Sequence, residues 1–144
     1  MKIELTNQEA EQFFYNALCN YLPGFCGSYG YSIVYSKEDY EKAKQTATIF
    51  DADRLAFADA NGLGLTVCYE DVLMEMLRLG FKVTFEDLEN DGEYTRTIGI
   101  EEIHARVCKA PADSIMDMAN ETDDAFTADT ILQAVLFDGE QIFA

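Results

Sequence analysis

The chain lacks the segments that would attach it to a membrane or direct it out of the cell. No apolar run approaches the roughly 20 residues of a membrane-spanning helix. The N-terminal stretch MKIELTNQEAEQ also lacks the hydrophobic segment of a signal peptide. We therefore expect a cytoplasmic protein with no membrane partner.

Basic residues are scarce, and this excludes several classes of partner. Ten Lys and Arg stand against 27 Asp and Glu, which leaves a net charge of −17 over 144 residues. Such a field repels nucleic-acid phosphates and anionic lipid, and it attracts basic protein surfaces. Direct binding to nucleic acid is therefore disfavoured.

The short motifs that identify common enzyme classes are absent as well. No G-x-S-x-G elbow, Walker phosphate loop or G-x-G-x-x-G fingerprint occurs. The four cysteines form no C-x-x-C pair, so that reduced, buried thiols are expected. The stretch DLENDG resembles the start of a calcium-binding loop, but Ile98 stands where that loop needs a bidentate Glu. We expect no metal and no cofactor.

What is present indicates a globular domain of the α+β class. With 49% hydrophobic and 26% charged residues, the composition is too apolar for disorder. A chain of this size buries roughly two thirds of its unfolded surface. We expect five to six helices packed on a small antiparallel sheet centred on a hairpin at 81–100. An alternative divides the domain into two subdomains: 1–62 (helix, loop, strand, helix) and 63–144 (helix, hairpin, three helices, short C-terminal strand).

The hairpin carries the most specific structural prediction. Alternating segments surround an Asp-Gly pair that suits a two-residue type I′ turn. That turn predicts a register in which Phe85 faces Ile98. In the same register Asp87 faces Arg96, so that acid meets base across the strands.

A glycine-rich loop is the candidate ligand-binding segment. Thr6 and Glu9 form a capping box that starts a helix at Asn7, and Pro23 is expected to end it. The segment 23–31 then interleaves glycines with aromatic residues and one cysteine, a composition that permits close approach of a ligand. The candidate binding side chains are Phe25, Cys26, Tyr29 and Tyr31.

The single histidine raises the alternative of an enzyme or a zinc site. Cys26 beside His104 would meet the requirement of cysteine catalysis, in which a neighbouring base lowers the pKa of the thiol. The sequence does not show that the two are adjacent. His104 and Cys108 lie four residues apart on a predicted helix and could share zinc with Cys19 and Cys26. The six residues between Cys19 and Cys26 exceed the usual ligand spacing, so we expect no zinc.

The segment after Lys109 contains acids and no Lys or Arg. The helix that follows Pro111 is acidic, which argues against a DNA-binding helix-turn-helix. Such a segment is suited to docking on a basic protein or to imitating the phosphates of nucleic acid. The alternative is a solvated acidic surface with no function. The candidate partner-binding residues are Asp113, Asp117, Glu121, Asp123, Asp124 and Asp129.

Three stretches, CYEDVLMEML, FEDLENDGEYTR and TADTILQAVLFDGE, resemble small acidic proteins from phages and mobile elements of gut bacteria. The resemblance covers about 66–144. It implies a bacterial or phage-infected cytosol and carries no biochemical function or site residues. We therefore expect a non-enzymatic acidic module that docks on a basic protein surface. The alternative is a small-molecule-binding or enzymatic domain with its pocket at 23–31, and the oligomeric state stays open.

Overall fold

The computed structural model describes residues 3–28, 31–64 and 66–143, without the side chains of 21–28. The described chain contains seven α-helices and one three-stranded sheet, which confirms the α+β class and corrects the expected five to six helices. The helices are α1 (Asn7–Ser28), α2 (Lys37–Thr46), α3 (Ala52–Ala60), α4 (Tyr69–Arg78), α5 (Ile100–Arg106), α6 (Ala112–Ala119) and α7 (Ala125–Leu136). The strands are β1 (Tyr31–Val34), β2 (Val83–Asp87) and β3 (Arg96–Ile98), and a 3-10 turn, Val107–Lys109, follows α5.

The first helix is longer than its sequence predicts. The capping box is confirmed, because the backbone N–H of Thr6 donates to Glu9 Oε1 at 3.0 Å and that of Glu9 to Thr6 Oγ1 at 3.1 Å. The predicted end at Pro23 is wrong, since α1 continues to Ser28. Proline removes one backbone hydrogen bond from a helix, and packing on neighbouring elements can outweigh that loss. Most of the predicted loop 23–31 is therefore helical backbone.

The additional helix is α3, in a segment where the apolar pattern favours neither helix nor strand. Asp51 begins it, because its side chain accepts a hydrogen bond from the backbone N–H of Asp53 at 3.0 Å. An Asp in this position satisfies one of the free N–H groups at a helix start. The Asp51 cap thus favours a helix in a segment whose hydrophobic pattern fits a helix or a strand equally well.

The sheet is antiparallel in the order β1-β2-β3, and the predicted hairpin register is wrong by two residues. Val83 pairs with Ile98 and Phe85 pairs with Arg96, where Phe85 was expected opposite Ile98. A slip of two residues keeps every side chain on its predicted face. Val83, Phe85 and Ile98 are therefore buried as the alternation indicates.

The carboxylate of Asp87 explains the change of register. Asp91 and the following glycine take the positive φ angles that the predicted turn needs, 54° and 78°, but they do not close a two-residue hairpin loop. Asp87 does not face Arg96, however; its side chain accepts the backbone N–H groups of Glu89, Asn90 and Tyr94 at 3.0, 3.1 and 3.2 Å. These bonds hold 88–95 as a loop wider than a two-residue turn, which ends the ladder earlier.

The sheet and the helices join the two halves of the chain. β1 comes from the first half and pairs with β2 from the second, so that Ile33 lies opposite Phe85. Helix α1 packs along α7, and α2 packs against α4. The division into two subdomains at 62–63 stays a prediction, and these contacts cross it.

The predicted C-terminal strand is wrong. Residues 141–143 form no strand, because a side-chain amide occupies the place of a strand partner. The backbone N–H of Phe143 donates to Gln133 Oε1 at 2.8 Å, and Gln133 Nε2 donates to Phe143 O at 3.1 Å. The chain end is thereby bound to α7.

Helix α7 is the centre of the fold. Every residue from 127 to 136 is buried, a pattern typical of a helix that is enclosed on all sides. Its cap is Asp124, whose side chain accepts the N–H of Thr127 at 2.9 Å. Of the described helices, none is long and apolar enough to cross a membrane.

Candidate functional site

The structure places few side chains of the predicted ligand-binding loop. The side chains of Phe25 and Cys26, and the whole of Tyr29, lie outside the described residues. Tyr31 is only 2% exposed, and its hydroxyl donates to Tyr94 O at 2.9 Å. Burial raises the pKa of Tyr31, so this hydroxyl stays protonated. Tyr31 is a core residue, and the ligand-binding role of the loop stays a prediction.

His104 lies beside a buried carboxylate. Its Nε2 atom is 2.7 Å from Glu11 Oε2, and Arg78 Nε is 2.8 Å from Glu11 Oε1. Burial alone would raise the pKa of Glu11, but the hydrogen bonds from His104 and Arg78 outweigh it and lower the pKa. Glu11 thus joins α1 to α4 and α5. The sequence left open whether His104 meets Cys26, and the Cys26 side chain lies outside the described residues.

A second buried carboxylate, Asp71, accepts hydrogen bonds from several distant segments. It is 1% exposed and accepts from the Tyr15 hydroxyl at 3.1 Å, the Phe50 N–H at 3.0 Å and the Cys68 N–H at 2.8 Å. Arg54 completes the set with an ion pair. Burial would raise the pKa of Asp71, but these hydrogen bonds outweigh it and lower the pKa. The cluster is a structural link between α1, α3 and α4.

The acids after Lys109 begin on the exposed face of α6. Asp113, Met116 and Asp117 recur at i, i+3 and i+4 and share that face, while Ile115 and Met118 are buried on the opposite one. Met116 is 54% exposed. The helix therefore presents an apolar side chain between two carboxylates.

The remaining acids lie between α6 and the start of α7. Glu121 is exposed and follows α6, and Asp123 is tied to α1 by a hydrogen bond from Asn20. Asp124 is exposed at the cap of α7, next to Phe126, which is 67% exposed. The acids and exposed apolar residues of 113–126 are called the acidic segment below.

Asp129 does not belong to this exposed surface. It is 5% exposed within α7, and its carboxylate accepts a hydrogen bond from Gln133 Nε2 at 2.9 Å. Its burial could not be read from the sequence, because a helix that is enclosed on all sides leaves no polar face to recognise.

A groove joins the acidic segment to α1 and α3. Its cavity of about 320 Å³ has a floor that includes the buried side chains of Phe13 and Met118. Three carboxylates line it, from Asp51 and Asp53 at the start of α3 and from Glu121 after α6. The other lining residues are Gln12, Asn16, Ala52 and Ala119. We call this cavity the acidic groove.

A second cavity of about 300 Å³ extends the groove, since Asn16 and Asp51 line both. It contains Asp123 and the guanidinium of Arg54. That guanidinium is already paired with the buried Asp71. The charge left facing solvent is therefore negative along both cavities.

The sequence identified Glu121 and Asp123 but not Asp51 and Asp53 as parts of this site. The available signal was an Asp two residues before a second Asp at the start of a helix, which is a capping pattern. No group of three or more His, Cys, Asp or Glu suited to a metal ion occurs among the described side chains. The carboxylates of Asp51, Asp53 and Glu121 line the groove without forming such a group.

Comparison with protein-family models, curated proteins and solved structures finds no match for this chain. The groove is accordingly interpreted from its own chemistry. Carboxylates around an apolar floor suit a cation that carries an aliphatic stem.

Proposed function

We propose that the protein is a non-enzymatic interaction module that docks on a basic protein surface, with the acidic groove as the receptor for a lysine or arginine of the partner. One observation carries this proposal. Three carboxylates and a buried apolar floor line a cavity of about 320 Å³, and no Lys or Arg is among its described lining residues. The partner's aliphatic stem would lie on Phe13 and Met118, with its charged head among the carboxylates.

The acidic segment supports a protein as the occupant. Met116 and Phe126 are exposed beside its carboxylates, and methionine and aromatic residues are enriched in protein interfaces. The net charge of −17 would also speed the encounter with a basic partner. A nucleic-acid-binding protein belongs to this class of partner, because the surface that it uses to bind phosphates is basic.

A binding experiment with a defined probe tests the proposal. Fluorescence anisotropy measures how tightly the protein binds a labelled peptide rich in arginine and leucine. A labelled peptide in which acidic residues replace the arginines serves as the comparison. The groove variant combines Asp51→Asn, Asp53→Asn and Glu121→Gln, which keep the size and the capping oxygens. We expect about tenfold weaker binding or more, because charge-assisted hydrogen bonds are lost. Rising salt should weaken binding to the unchanged protein.

The matched control separates the groove from net charge. Glu38→Gln, Glu41→Gln and Glu86→Gln remove the same number of charges from exposed positions outside the groove. We expect this variant to bind the peptide nearly as well as the unchanged protein. Equal losses in both triple variants, or no binding of the basic peptide at all, would contradict the proposal.

A further inference from the structure

A third cavity, of about 320 Å³, is lined by cations as well as carboxylates. Arg96 and Arg106 line it together with the apolar side chains of Leu136, Phe137 and Ile142. Lys109 lies next to it, so that three of the ten Lys and Arg of the chain lie at one place. With Lys109 counted, three cations stand beside the two carboxylates Asp138 and Glu140, an excess of one in a chain whose net charge is −17.

The fold holds both arginines in fixed positions. Arg96 Nη1 donates to the carbonyl oxygens of Glu93 and Thr95 at 3.1 and 2.9 Å, and its guanidinium lies over the Phe137 ring at 5.2 Å. Arg106 Nη1 donates to Val135 O at 3.0 Å. A guanidinium has five N–H groups, and these bonds use only some of them. Among the described residues no further hydrogen bond engages these groups, although Arg106 Nε lies near Asp138, and this leaves donors for a ligand in the cavity.

One of the carboxylates beside the cavity is neutralised within the fold. Lys109 Nζ lies 2.6 Å from Asp138 Oδ1, and Arg106 Nε lies 3.6 Å from the same atom. The hydrogen bond from Lys109 lowers the pKa of Asp138 and keeps it ionised. Gly139, at φ +93°, permits this contact, because a Cβ atom there would lie 3.0 Å from Lys109 Cβ.

Glu140 is the other carboxylate that lines the cavity. No ion pair joins it to a cation among the described residues. Its charge would compete with an anionic ligand for the two arginines. Replacing Glu140 should therefore change the affinity of the cavity for an anionic ligand.

We infer that this cavity binds a small organic acid, with a carboxylate between Arg96 and Arg106 and an apolar body against Leu136, Phe137 and Ile142. Guanidinium groups match the planar carboxylate in a way that a point charge does not. The volume lies at the lower end of the roughly 300–1,000 Å³ of small-molecule sites. Distant acids oppose binding only weakly, because salt screens charges beyond about 8 Å at physiological ionic strength.

Benzoate is a suitable probe, and isothermal titration calorimetry measures its binding to the full chain. Benzamide has the same shape without the charge, and inorganic phosphate has charge without an apolar body. We expect saturable binding of benzoate, with both comparison compounds weaker. Arg96→Gln and Arg106→Gln should each weaken benzoate binding about tenfold or more, because a charged hydrogen bond is lost. Thermal melting checks that these variants are folded.

Two further variants keep the test decisive if an arginine variant does not fold. Glu140→Gln should tighten benzoate binding, because it removes the competing carboxylate from an exposed side chain. Lys42→Gln, an exposed cation on α2, removes one positive charge elsewhere and should leave binding unchanged. The inference would be overturned by no saturable binding, by benzamide or phosphate binding as tightly as benzoate, or by equal effects of Lys42→Gln and the arginine variants.

Discussion

Asp71 and Glu11 differ from the exposed carboxylates of the acidic segment in what their oxygens contact. Asp71 accepts hydrogen bonds from four other residues, and Glu11 bridges Arg78 and His104. On α6, the hydrogen bond that Asp113 accepts among the described residues comes from the N–H of its own neighbour in sequence, Ser114. Acids that gather donors from distant segments hold the fold together. Acids that face solvent remain available to a partner.

The distribution of cations produces this difference. Arg54 pairs with Asp71, Arg78 with Glu11, and Lys109 with Asp138. None of the ion pairs among the described residues uses a carboxylate of the acidic segment. Four of the ten Lys and Arg are thus held in ion pairs elsewhere, and no ion pair among the described residues neutralises a carboxylate of 113–126.

Replacing Asp71 should produce the largest effect on stability. Asp71→Ala leaves the N–H groups of Phe50 and Cys68 and the buried Tyr15 hydroxyl without their acceptor. We expect the free energy of unfolding to fall by about 3–5 kcal/mol, the range for breaking a buried ion pair. Urea denaturation followed by circular dichroism measures this loss.

The matched control for Asp71 is Asp59→Ala. Asp59 is an exposed acid on α3, and its removal changes the net charge by the same amount. We expect a change within about 0.5 kcal/mol, as for other exposed positions. If the two variants unfolded at similar urea concentrations, the distinction between structural and free carboxylates would fail.

The structural role of such acids was only partly accessible from the sequence. Local caps can be predicted from sequence: the Thr6 and Glu9 capping box forms as predicted. The turn at Asp87 could also be predicted from local sequence, because an Asp side chain often accepts a hydrogen bond from the backbone N–H two residues later and so forms a turn. No local pattern indicates the role of Asp71, since its hydrogen-bond donors at Tyr15 and Phe50 come close to it only in the folded chain.

The candidate site was predictable to a similar extent. The absence of bases after Lys109 indicates an acidic surface, and Glu121 does line the groove. The other wall belongs to α1 and α3, far away in sequence, and no local pattern reports which helices meet. The predicted register of β2 and β3 was wrong for a related reason. Turn rules consider only the backbone of the turn residues, whereas here the side chain of Asp87 sets the length of the loop.

Replacing Glu11 should have a smaller effect on stability, and this effect should depend on pH. Glu11→Gln should lower the free energy of unfolding by about 1–2 kcal/mol at pH 7, because the ion pair with Arg78 is lost and the hydrogen bond with His104 is weakened, while Arg78 is half exposed. The folded-state pKa of Glu11 lies below its ordinary value of 4.5. Its contribution is therefore present above pH 4.5 and is lost as the pH falls through the lowered pKa.

Urea denaturation from pH 7 to pH 3 measures this dependence. The difference between the unchanged protein and Glu11→Gln should shrink below pH 4.5. Glu89→Gln, in an exposed loop, should show little difference at any pH in this range. A difference for Glu11→Gln that grew on acidification would contradict the assigned direction of the pKa shift.

Asp117→Asn should have the smallest effect, with the opposite sign. Asp113 and Asp117 are like charges at i, i+4, and Asp117 also lies near the negative end of α6. Removing its charge should stabilise the protein by roughly 0.2–0.5 kcal/mol. The Asn oxygen can still accept the hydrogen bond that Thr122 Oγ1 now makes to Asp117 Oδ1 at 3.2 Å.

Thermal unfolding at low and high salt measures this gain. It should decline as salt screens the repulsion, and it should be smaller in an Asp113→Asn background, where only the negative end of α6 still repels Asp117. Since Asp117 belongs to the surface proposed to dock, the substitution should weaken binding of the basic peptide while stability rises. A variant that lost stability and kept full binding would instead place Asp117 among the structural acids.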